Sequence, residues 1–207
     1  MQYSNENNSQ TEIGYDLAEF ISKFVSPPTI AILATVSFSL WSPIGLGSLY
    51  PPMSILLCFW LFAFFPFLPV LYFYRKNVVD LYVSKKETRT QFFLVAIALY
   101  SFAAIIFFVT NTKIMFLLAL GYTFVTIILL VVNKFWKVSV HSAGVTGPIF
   151  ALIFVFGIIV IPLSLIILLV SWSRIKLKMH TFRQTLAGAL IPIAVGFVLY
   201  PVFYPLV

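Results

Sequence analysis

Histidine occurs only twice among the 207 residues, and both copies stand in basic, polar segments between long apolar runs. His141 ends the segment 137–141, which reads KVSVH, and His180 ends the segment 173–180, which reads SRIKLKMH. Each imidazole therefore has a hydroxyl and cations near it in sequence. Phosphoryl transfer needs cations and N–H donors around the phosphate oxygens, an in-line nucleophile, and an acid for the leaving oxygen. The two histidines and their neighbours predict a phosphate-handling site.

Basic and hydroxyl side chains near the histidines are candidates to bind the phosphate. A guanidinium presents a planar fork that matches phosphate oxygens, and an ammonium adds a point charge. Ser139 can donate to the anion or cap the following helix, and the two roles are compatible. Backbone N–H groups at a helix start near Ser142 can also hold an anion. The predicted phosphate-binding residues are Arg174, Arg89, Lys86, Ser139 and Lys85.

Gln184 is a candidate to orient one of the imidazoles. It follows His180 by four residues, so on a helix it would lie on the same face and reach the ring. Its amide oxygen can accept a hydrogen bond from Nδ1, which leaves the lone pair of Nε2 free. The amide lacks the charge that would stabilise a cationic imidazole. We hypothesise that Asp80 or Glu87 supplies that charge.

The composition excludes an ordinary soluble domain, in which about a quarter of the residues are charged. Here 9% are charged, 61% are hydrophobic, and the mean hydropathy is +1.05. Apolar runs of about twenty residues recur, which is the length of a membrane-spanning helix. We predict an all-α, polytopic transmembrane bundle of about six to seven spans. The net charge of +7 does not indicate nucleic-acid binding, because the cations sit in short connections between spans.

The positions of the apolar runs predict where the membrane-spanning helices lie. Residues 1–26 are predicted to be a polar tail ending in an interfacial helix over 17–25, and 27–207 a single transmembrane domain. As one helix, the run 142–172 would be about 46 Å long, well beyond a ~30 Å hydrocarbon core. Gly157 and Pro162 interrupt it, so two short helices turning near Val160 fit better. The other spans are expected over 28–45, 53–74, 91–109, 114–133 and 184–204.

This count puts the polar segments 75–90, 134–141 and 173–183 on one membrane face, and both histidines with them. A single span over 142–172 would instead separate the histidines by the bilayer. Twelve of the thirteen Lys and Arg residues fall on the shared face, and only Lys113 lies opposite. The positive-inside rule makes that face cytoplasmic. A phosphate site recruits cations on either face, so both causes of the charge bias stay open.

The segments around the histidines resemble the type 2 phosphatidic acid phosphatase superfamily, which includes membrane lipid phosphatases and vanadium haloperoxidases. Its three motifs are Lys-x6-Arg-Pro, Pro-Ser-Gly-His and Ser-Arg-x5-His-x3-Asp. Segment 173–180 matches the third motif in spacing and in three of its four fixed residues, and 139–141 matches the serine and histidine of the second. Segment 85–89 stands where the first belongs and keeps its arginine. The resemblance covers roughly 80–188 and looks like a shorter prokaryotic branch.

The chain departs from these motifs at several positions. Gln184 stands where the family has aspartate, and Lys85 or Lys86 can stand in for the missing first lysine. The other departures are Val138, Val140, Tyr82 and Thr90. As the resemblance implies, His180 attacks phosphorus and carries a phosphohistidine, while His141 protonates the leaving group, and no metal or cofactor is needed. The implied substrate is a lipid phosphate monoester or diphosphate, such as a polyprenyl diphosphate or a phosphatidate-type lipid. The other implied partners are the surrounding membrane lipids.

Other functions remain alternatives. The rival is a catalytically weak or inactive member, marked by its glutamine, that binds lipid phosphates or serves as a scaffold. A metal site of both histidines with Asp80 and Glu87 is disfavoured because carboxylates are few and scattered. A prenyltransferase would need paired Asp-rich motifs, which six acidic residues cannot supply. A transporter is disfavoured because no isolated charge lies deep inside a span.

Overall fold

The computed structural model describes residues 2–204, with side chains from residue 13 onward. Position 1 of the predicted tail and positions 205–207 of the predicted domain lie outside that part. Over the described residues the chain forms nine α-helices and no strand, so the predicted all-α class is confirmed. The helices are α1 (Gln2–Phe24), α2 (Pro27–Trp41), α3 (Pro51–Cys58), α4 (Phe65–Arg75), α5 (Thr90–Val109), α6 (Lys113–Phe135), α7 (Val140–Phe156), α8 (Ser164–Lys176) and α9 (Phe182–Phe203).

Five helical stretches within 13–204 are long and apolar enough to cross a membrane, and a sixth exists if Ile13–Phe24 and α2, bent by 50°, count as one span. The protein is therefore a membrane-embedded helical bundle. The predicted range is six to seven, and this count takes Val140–Lys176, which contains both α7 and α8, as one stretch. The five stretches are Pro51–Arg75, Lys86–Val109, Lys113–Phe135, Val140–Lys176 and Phe182–Phe203.

The stretch Val140–Lys176 is folded back on itself. The hydroxyl oxygens of Ser142 and Ser171 lie 3.3 Å apart, although a straight helix would separate them by about 43 Å. Gly157 ends α7 with φ 72° and ψ −149°, a conformation that is open essentially only to glycine. The 3₁₀ turn Gly157–Leu163 then reverses the chain into α8. The predicted pair of short helices turning near Val160 is confirmed.

Prolines set where the first two spans begin and where α2 ends. Pro27 opens α2 and Pro51 opens α3, because the first helical turn needs no N–H donor from proline. α2 ends at Trp41, earlier than the predicted position 45, because Pro43 disfavours helical backbone at Ser42, which is extended. The N–H of Ile44 then donates to the Ser42 hydroxyl at 3.2 Å. This bond stabilises the turn that follows α2.

The second span is longer than predicted and is not uniformly α-helical. It runs over Pro51–Arg75 instead of 53–74, and the π-helical segment Phe59–Phe64 joins α3 to α4. Pro69 lies inside α4, where it lacks the N–H that a helical residue donates. The buried core lies mainly between α2, α5, α6, α7 and α9, where Phe38 and Phe107 are among the largest fully buried side chains.

Helix α1 extends beyond the interfacial helix expected over 17–25, since it covers Gln2–Phe24. It packs against α8, and its described part is bent by 50° from α2. The N-terminal segment is therefore attached to the bundle through α8. This contact places α1 beside Arg174, in the last turn of α8.

Candidate functional site

The three polar segments meet at one end of the bundle. Arg89 Nη1 donates to the carbonyl of Val138 at 3.0 Å, which joins the first segment to the second. Lys137 Nζ donates to the carbonyl of Met179 at 3.0 Å, which joins the second to the third. Both histidines therefore lie at the same end, as predicted, because the α7–α8 hairpin returns the chain to the level at which it began.

Arg174 is buried, and no charged side chain within 13–204 pairs with it. Only 2% of its surface is exposed. Its Nη1 donates to the hydroxyl of Ser22 in α1 at 2.7 Å, and the guanidinium lies 4.7 Å from the ring centroid of Tyr82. Nε is buried with no hydrogen-bond partner, and within 13–204 no carboxylate forms a salt bridge with this side chain. An uncompensated buried cation is costly, so this site favours an anionic ligand.

Arg89 is a second buried arginine, and it serves partly to hold the backbone. It is 5% exposed and lies at the end of the 3₁₀ turn Lys86–Arg89. Its Nε donates to the carbonyl of Val83 at 2.8 Å, in addition to the bond to Val138. A guanidinium has five N–H groups, so these two bonds leave three. Arg89 therefore fixes the loop before α5 and retains donors for a ligand.

The two predicted lysines, Lys85 and Lys86, both precede Arg89 in the sequence, but the structure places their side chains in different surroundings. Lys85 is exposed and lines a separate polar depression with Asp80 and Thr88. Lys86 is half-buried, and its carbonyl accepts a hydrogen bond from Asn133 Nδ2 at 2.9 Å. Over the described chain, neither ammonium makes a hydrogen bond that joins it to the histidines.

Ser139 is the N-cap of α7, so its predicted capping role is confirmed. Its hydroxyl oxygen accepts from the Ser142 N–H at 3.2 Å and from the Ser142 hydroxyl at 3.0 Å. The helix begins at Val140, two residues before the predicted start. Helix α9 approaches closely here, because a Cβ on Gly188 would collide with the Ser139 carbonyl. The cap thus also fixes α7 against α9.

Gln184 holds His180 in one tautomer. Its Oε1 lies 3.0 Å from Nδ1 of His180 and accepts the Thr181 N–H at 3.2 Å. Because the Thr181 N–H can only donate, the amide atom at this position is oxygen, and His180 must donate from Nδ1. The lone pair on Nε2 is then free. The predicted contact is confirmed, but its cause is a capping box at the start of α9, since His180 itself precedes the helix.

The environment of His180 keeps the imidazole neutral. Burial lowers the pKa of His180 to about 3, the Gln184 hydrogen bond opposes the shift, and the charges of Arg89, Arg174 and Lys137 add to it. Only 7% of the residue is exposed. A neutral imidazole with a free Nε2 has the protonation state that a nucleophile requires.

His141 lies on the second residue of α7 and is half-buried. Its ring centroid is 5.9 Å from that of Tyr82, with an interplanar angle of 60°. Tyr82 therefore contacts both His141 and the Arg174 guanidinium. This aromatic ring therefore lies between segment 137–141 and segment 173–180.

Sequence reasoning did not include Lys137 and Tyr82 among the site residues. Lys137 is half-buried, and its pKa is lowered by burial and then by the positive charges of Arg89 and Arg174. The sequence signal for it was its place two residues before Ser139 in a basic segment. Tyr82 stands in the sequence only as a departure from a motif, because a ring stacking on a distant arginine leaves no local pattern.

Asp80 does not supply charge to His180 through a hydrogen bond, which corrects the hypothesis made for it. Its carboxylate accepts from the Tyr82 N–H and the Ser84 N–H, both at 2.9 Å. Burial acts to raise the pKa of Asp80, but hydrogen bonds from Ser84 and Tyr82 outweigh it and lower the pKa. Glu87 is exposed. Among the described residues, no three His, Cys, Asp or Glu side chains are arranged to hold a metal ion.

An apolar cleft lies inside the bundle next to this site. Its cavity volume is about 80 Å³, and it runs along α7 from Val140, the neighbour of His141, to Phe150. This distance is about 15 Å along the helix. A Cβ on Gly147 would make only an ordinary contact with Pro192 at 3.8 Å, so this glycine faces the space. The other walls include α6 and α9, with Leu118, Leu129, Val195 and Tyr200.

Comparisons with family models, curated proteins and solved structures found no match to this chain.

Proposed function

We propose that this chain is an integral-membrane lipid phosphatase of the type 2 phosphatidic acid phosphatase superfamily. The observation that carries the proposal is Arg174, a buried guanidinium with an unpartnered Nε and no carboxylate partner within 13–204. It lies at the same end of the bundle as His180, whose Nε2 lone pair is free. A phosphate group would provide the missing charge for the arginine and the electrophile for the imidazole.

The proposed reaction has two steps. Nε2 of His180 attacks phosphorus, the bond from phosphorus to the lipid oxygen breaks, and His141, protonated in the complex with the anionic phosphate, gives that oxygen a proton. Water then attacks the phosphohistidine, His141 takes its proton, and inorganic phosphate leaves while Nε2 regains its lone pair. Arg174 and Arg89 stabilise the charge on the phosphate oxygens. A diphosphate follows the same steps, with the lipid monophosphate as leaving group.

The apolar cleft supports a lipid as the substrate. It begins beside Val140, next to His141 in sequence, and its walls along α7 are apolar. A hydrocarbon chain could occupy it while the phosphate lies among the arginines at the polar end. Burial of apolar surface would contribute about 25 cal/mol per Å² to binding.

Phosphate release tests the proposal directly. The purified protein in detergent should hydrolyse phosphatidate or a polyprenyl diphosphate in the presence of chelator, and orthovanadate should inhibit it. His180→Ala should abolish release, and acid-labile phosphate should be trapped on wild type but not on this variant. Tyr50→Phe, at an exposed position in the loop before α3, is the matched control. Release by His180→Ala at the wild-type rate would refute the assignment.

A second candidate is a non-catalytic protein that binds lipid phosphates. The observation that favours it is Gln184, which fixes the tautomer of His180 but has no charge to stabilise an imidazolium. Tight binding of phosphatidate without phosphate release, lost in Arg174→Ala, would support this alternative over the enzyme.

We also propose that the site faces the cytoplasm, because the cationic segments cluster at this end. Labelling tests the orientation. A membrane-impermeant thiol reagent should modify Lys178→Cys only in inside-out vesicles, with Lys113→Cys as the opposite control, both in a Cys58→Ala background. The reverse pattern would place the site on the outer face.

A further inference from the structure

Arg174 depends for its position on a residue 152 positions earlier in the chain. Ser22 in α1 accepts the hydrogen bond from Nη1 at 2.7 Å, and both side chains are almost fully buried, at 1% and 2% exposure. Within 13–204 no other hydrogen bond to this guanidinium is present. The orientation of Arg174 is therefore set by one hydroxyl together with the ring of Tyr82.

A hydroxyl is suited to this task because it orients a guanidinium without neutralising it. A carboxylate in the same place would form an ion pair and compete with an incoming phosphate. Serine accepts one N–H and leaves the full positive charge available. Ser22 thus has the chemistry of a positioning residue for an anion-binding arginine.

Helix α1 has three distinct faces over its described part. One face packs against α8 and contains Gly14, Ala18 and Ser22, of which Ala18 and Ser22 are buried. Gly14 lies beside Lys176 of α8, since a Cβ there would make an ordinary contact with Cε of Lys176 at 3.4 Å. Positions 14, 18 and 22 recur every four residues, so they form one stripe along the helix.

The second face is apolar and exposed. Ile13, Leu17, Phe20 and Phe24 follow the spacing of one helical stripe, and each is more than half exposed. The third face is polar, with Asp16, Glu19 and Lys23, and Glu19 pairs with Lys23 at 2.7 Å. A helix that meets protein, an apolar medium and water on three sides fits the surface of a bilayer. The bend of 50° from α2 is consistent with this change of direction.

We infer that α1 lies on the membrane surface with its apolar stripe in lipid, and that its Ser22 positions Arg174 for the substrate phosphate. This inference rests on the proposed function for the identity of the phosphate. It adds a residue and a helix outside the region of resemblance to the binding machinery. Phosphate affinity is then coupled to the docking of α1 on the lipid surface.

Ser22→Ala tests the positioning role in the full chain, reconstituted in vesicles of phosphatidylcholine and phosphatidylglycerol. We expect KM for phosphatidate and the inhibition constant of orthovanadate to rise roughly tenfold, with kcat changed less than twofold. Ser22→Thr, which keeps the hydroxyl, should restore both. Ser26→Ala, at a hydroxyl that bonds the Thr29 hydroxyl at an exposed position, is the matched control. Unchanged KM and inhibition constant in a folded Ser22→Ala protein would overturn the inference.

Direct binding separates this inference from the proposed function. Orthovanadate affinity, measured by calorimetry, needs no turnover. If wild type releases no phosphate, the enzyme proposal fails, while weaker orthovanadate binding by Ser22→Ala still supports the positioning role. Equal orthovanadate affinity in wild type and Ser22→Ala refutes the positioning role, whether or not the protein is an enzyme.

Fluorophores on two faces of α1 test its place on the membrane. With Cys58→Ala as background, Phe20→Cys and Lys23→Cys are labelled separately. A quencher in the lipid should act more strongly on the label at position 20, and aqueous iodide more strongly on the label at position 23. Equal quenching of the two labels by both reagents would overturn the lipid-facing assignment.

Discussion

Gln184 and His180 form the hydrogen bond that determines which imidazole nitrogen is free, with Oε1 and Nδ1 3.0 Å apart. The capping box around Thr181 fixes the amide, so the tautomer is built into the start of α9. The same bond shows what is missing, because a neutral amide stabilises a charged imidazole less than a carboxylate would.

Replacing Gln184 with glutamate should restore that charge. Glutamate has the same length and also occurs in capping boxes, so the contact with His180 should persist. The carboxylate should raise the pKa of His180 and, in the proposed mechanism, stabilise the imidazole as it takes up positive charge in the transition state. We expect Gln184→Glu to raise kcat about tenfold or more, measured by phosphate release. Gln184→Ala, which loses the tautomer lock, should lower it; a glutamate variant slower than the alanine variant would contradict the assignment.

The pKa of His180 predicts an unusual acid limb. With a pKa of about 3 in the folded state, the ring stays neutral well below its ordinary titration range near pH 6.5. Protonation of His180 should therefore not reduce kcat/KM between pH 7 and about pH 5. Gln184→Glu should move this limb to higher pH. A wild-type limb already near pH 6.5 that shifts in Gln184→Glu would belong to His180 and contradict this expectation.

The free energy of unfolding should also depend on the protonation of His180. The unfolded chain binds a proton at His180 near pH 6.5, but the folded chain does not until about pH 3, so lowering the pH favours unfolding. The contribution reaches at most about 1.4 kcal/mol per pH unit within that window. Thermal unfolding in detergent should show a smaller loss of stability between pH 6.5 and pH 4 in His180→Gln. Equal losses in both proteins would argue against a depressed pKa.

The buried charge of Arg174 should lower the stability of the protein while it contributes to anion binding. Arg174→Met removes a buried charge that has no carboxylate partner within the described residues, so the melting temperature should stay the same or rise. Orthovanadate affinity and phosphate release should fall at least about a hundredfold if Arg174 is the phosphate ligand that we propose. Arg174→Lys should recover only part of the affinity, since it lacks the fork. A methionine variant with normal turnover would remove Arg174 from the site.

Substitutions at Gly147 test whether the apolar cleft holds the hydrocarbon chains of the substrate. Leucine at this position would project into the free space along α7, while alanine would make only an ordinary contact. We expect Gly147→Leu to raise KM for dioleoyl phosphatidate about tenfold and to leave dibutyryl phosphatidate within twofold, since the short chains need little of the cleft. Gly147→Ala should resemble wild type with both substrates. Equal effects on both substrates would indicate a structural defect instead.

Gly157 should be required for the hairpin. Its φ of 72° and ψ of −149° are strained for any side chain, so Gly157→Ala should destabilise the protein by about 1–3 kcal/mol. Gly121→Ala, inside α6 with its nearest neighbour 3.9 Å from the new Cβ, should be neutral or stabilising. The two melting temperatures check this contrast. A Gly157→Ala protein as stable as wild type would show that the turn tolerates another conformation.

Several features could be predicted from local sequence because their causes are local. Apolar runs of membrane-spanning length indicated an all-α bundle, and a glycine and a proline within 142–172 predicted the turn that brings His141 and His180 to one end. The spacing from His180 to Gln184 predicted their contact, although the capping box that produces it was not foreseen. These inferences needed only helix geometry and the thickness of a bilayer.

The remaining features depend on contacts between residues far apart in the chain. Ser22 reaches Arg174 across 152 positions, and Tyr82 joins His141 to the same arginine. Asp80 bonds its own loop, because backbone donors lie nearer to it than any histidine does. Sequence alone thus predicted which residues are candidates to bind phosphate, and it determined that they share one end of the bundle. Only the tertiary structure decided which charges stay uncompensated, because burial and hydrogen-bond partners are set by packing between distant helices.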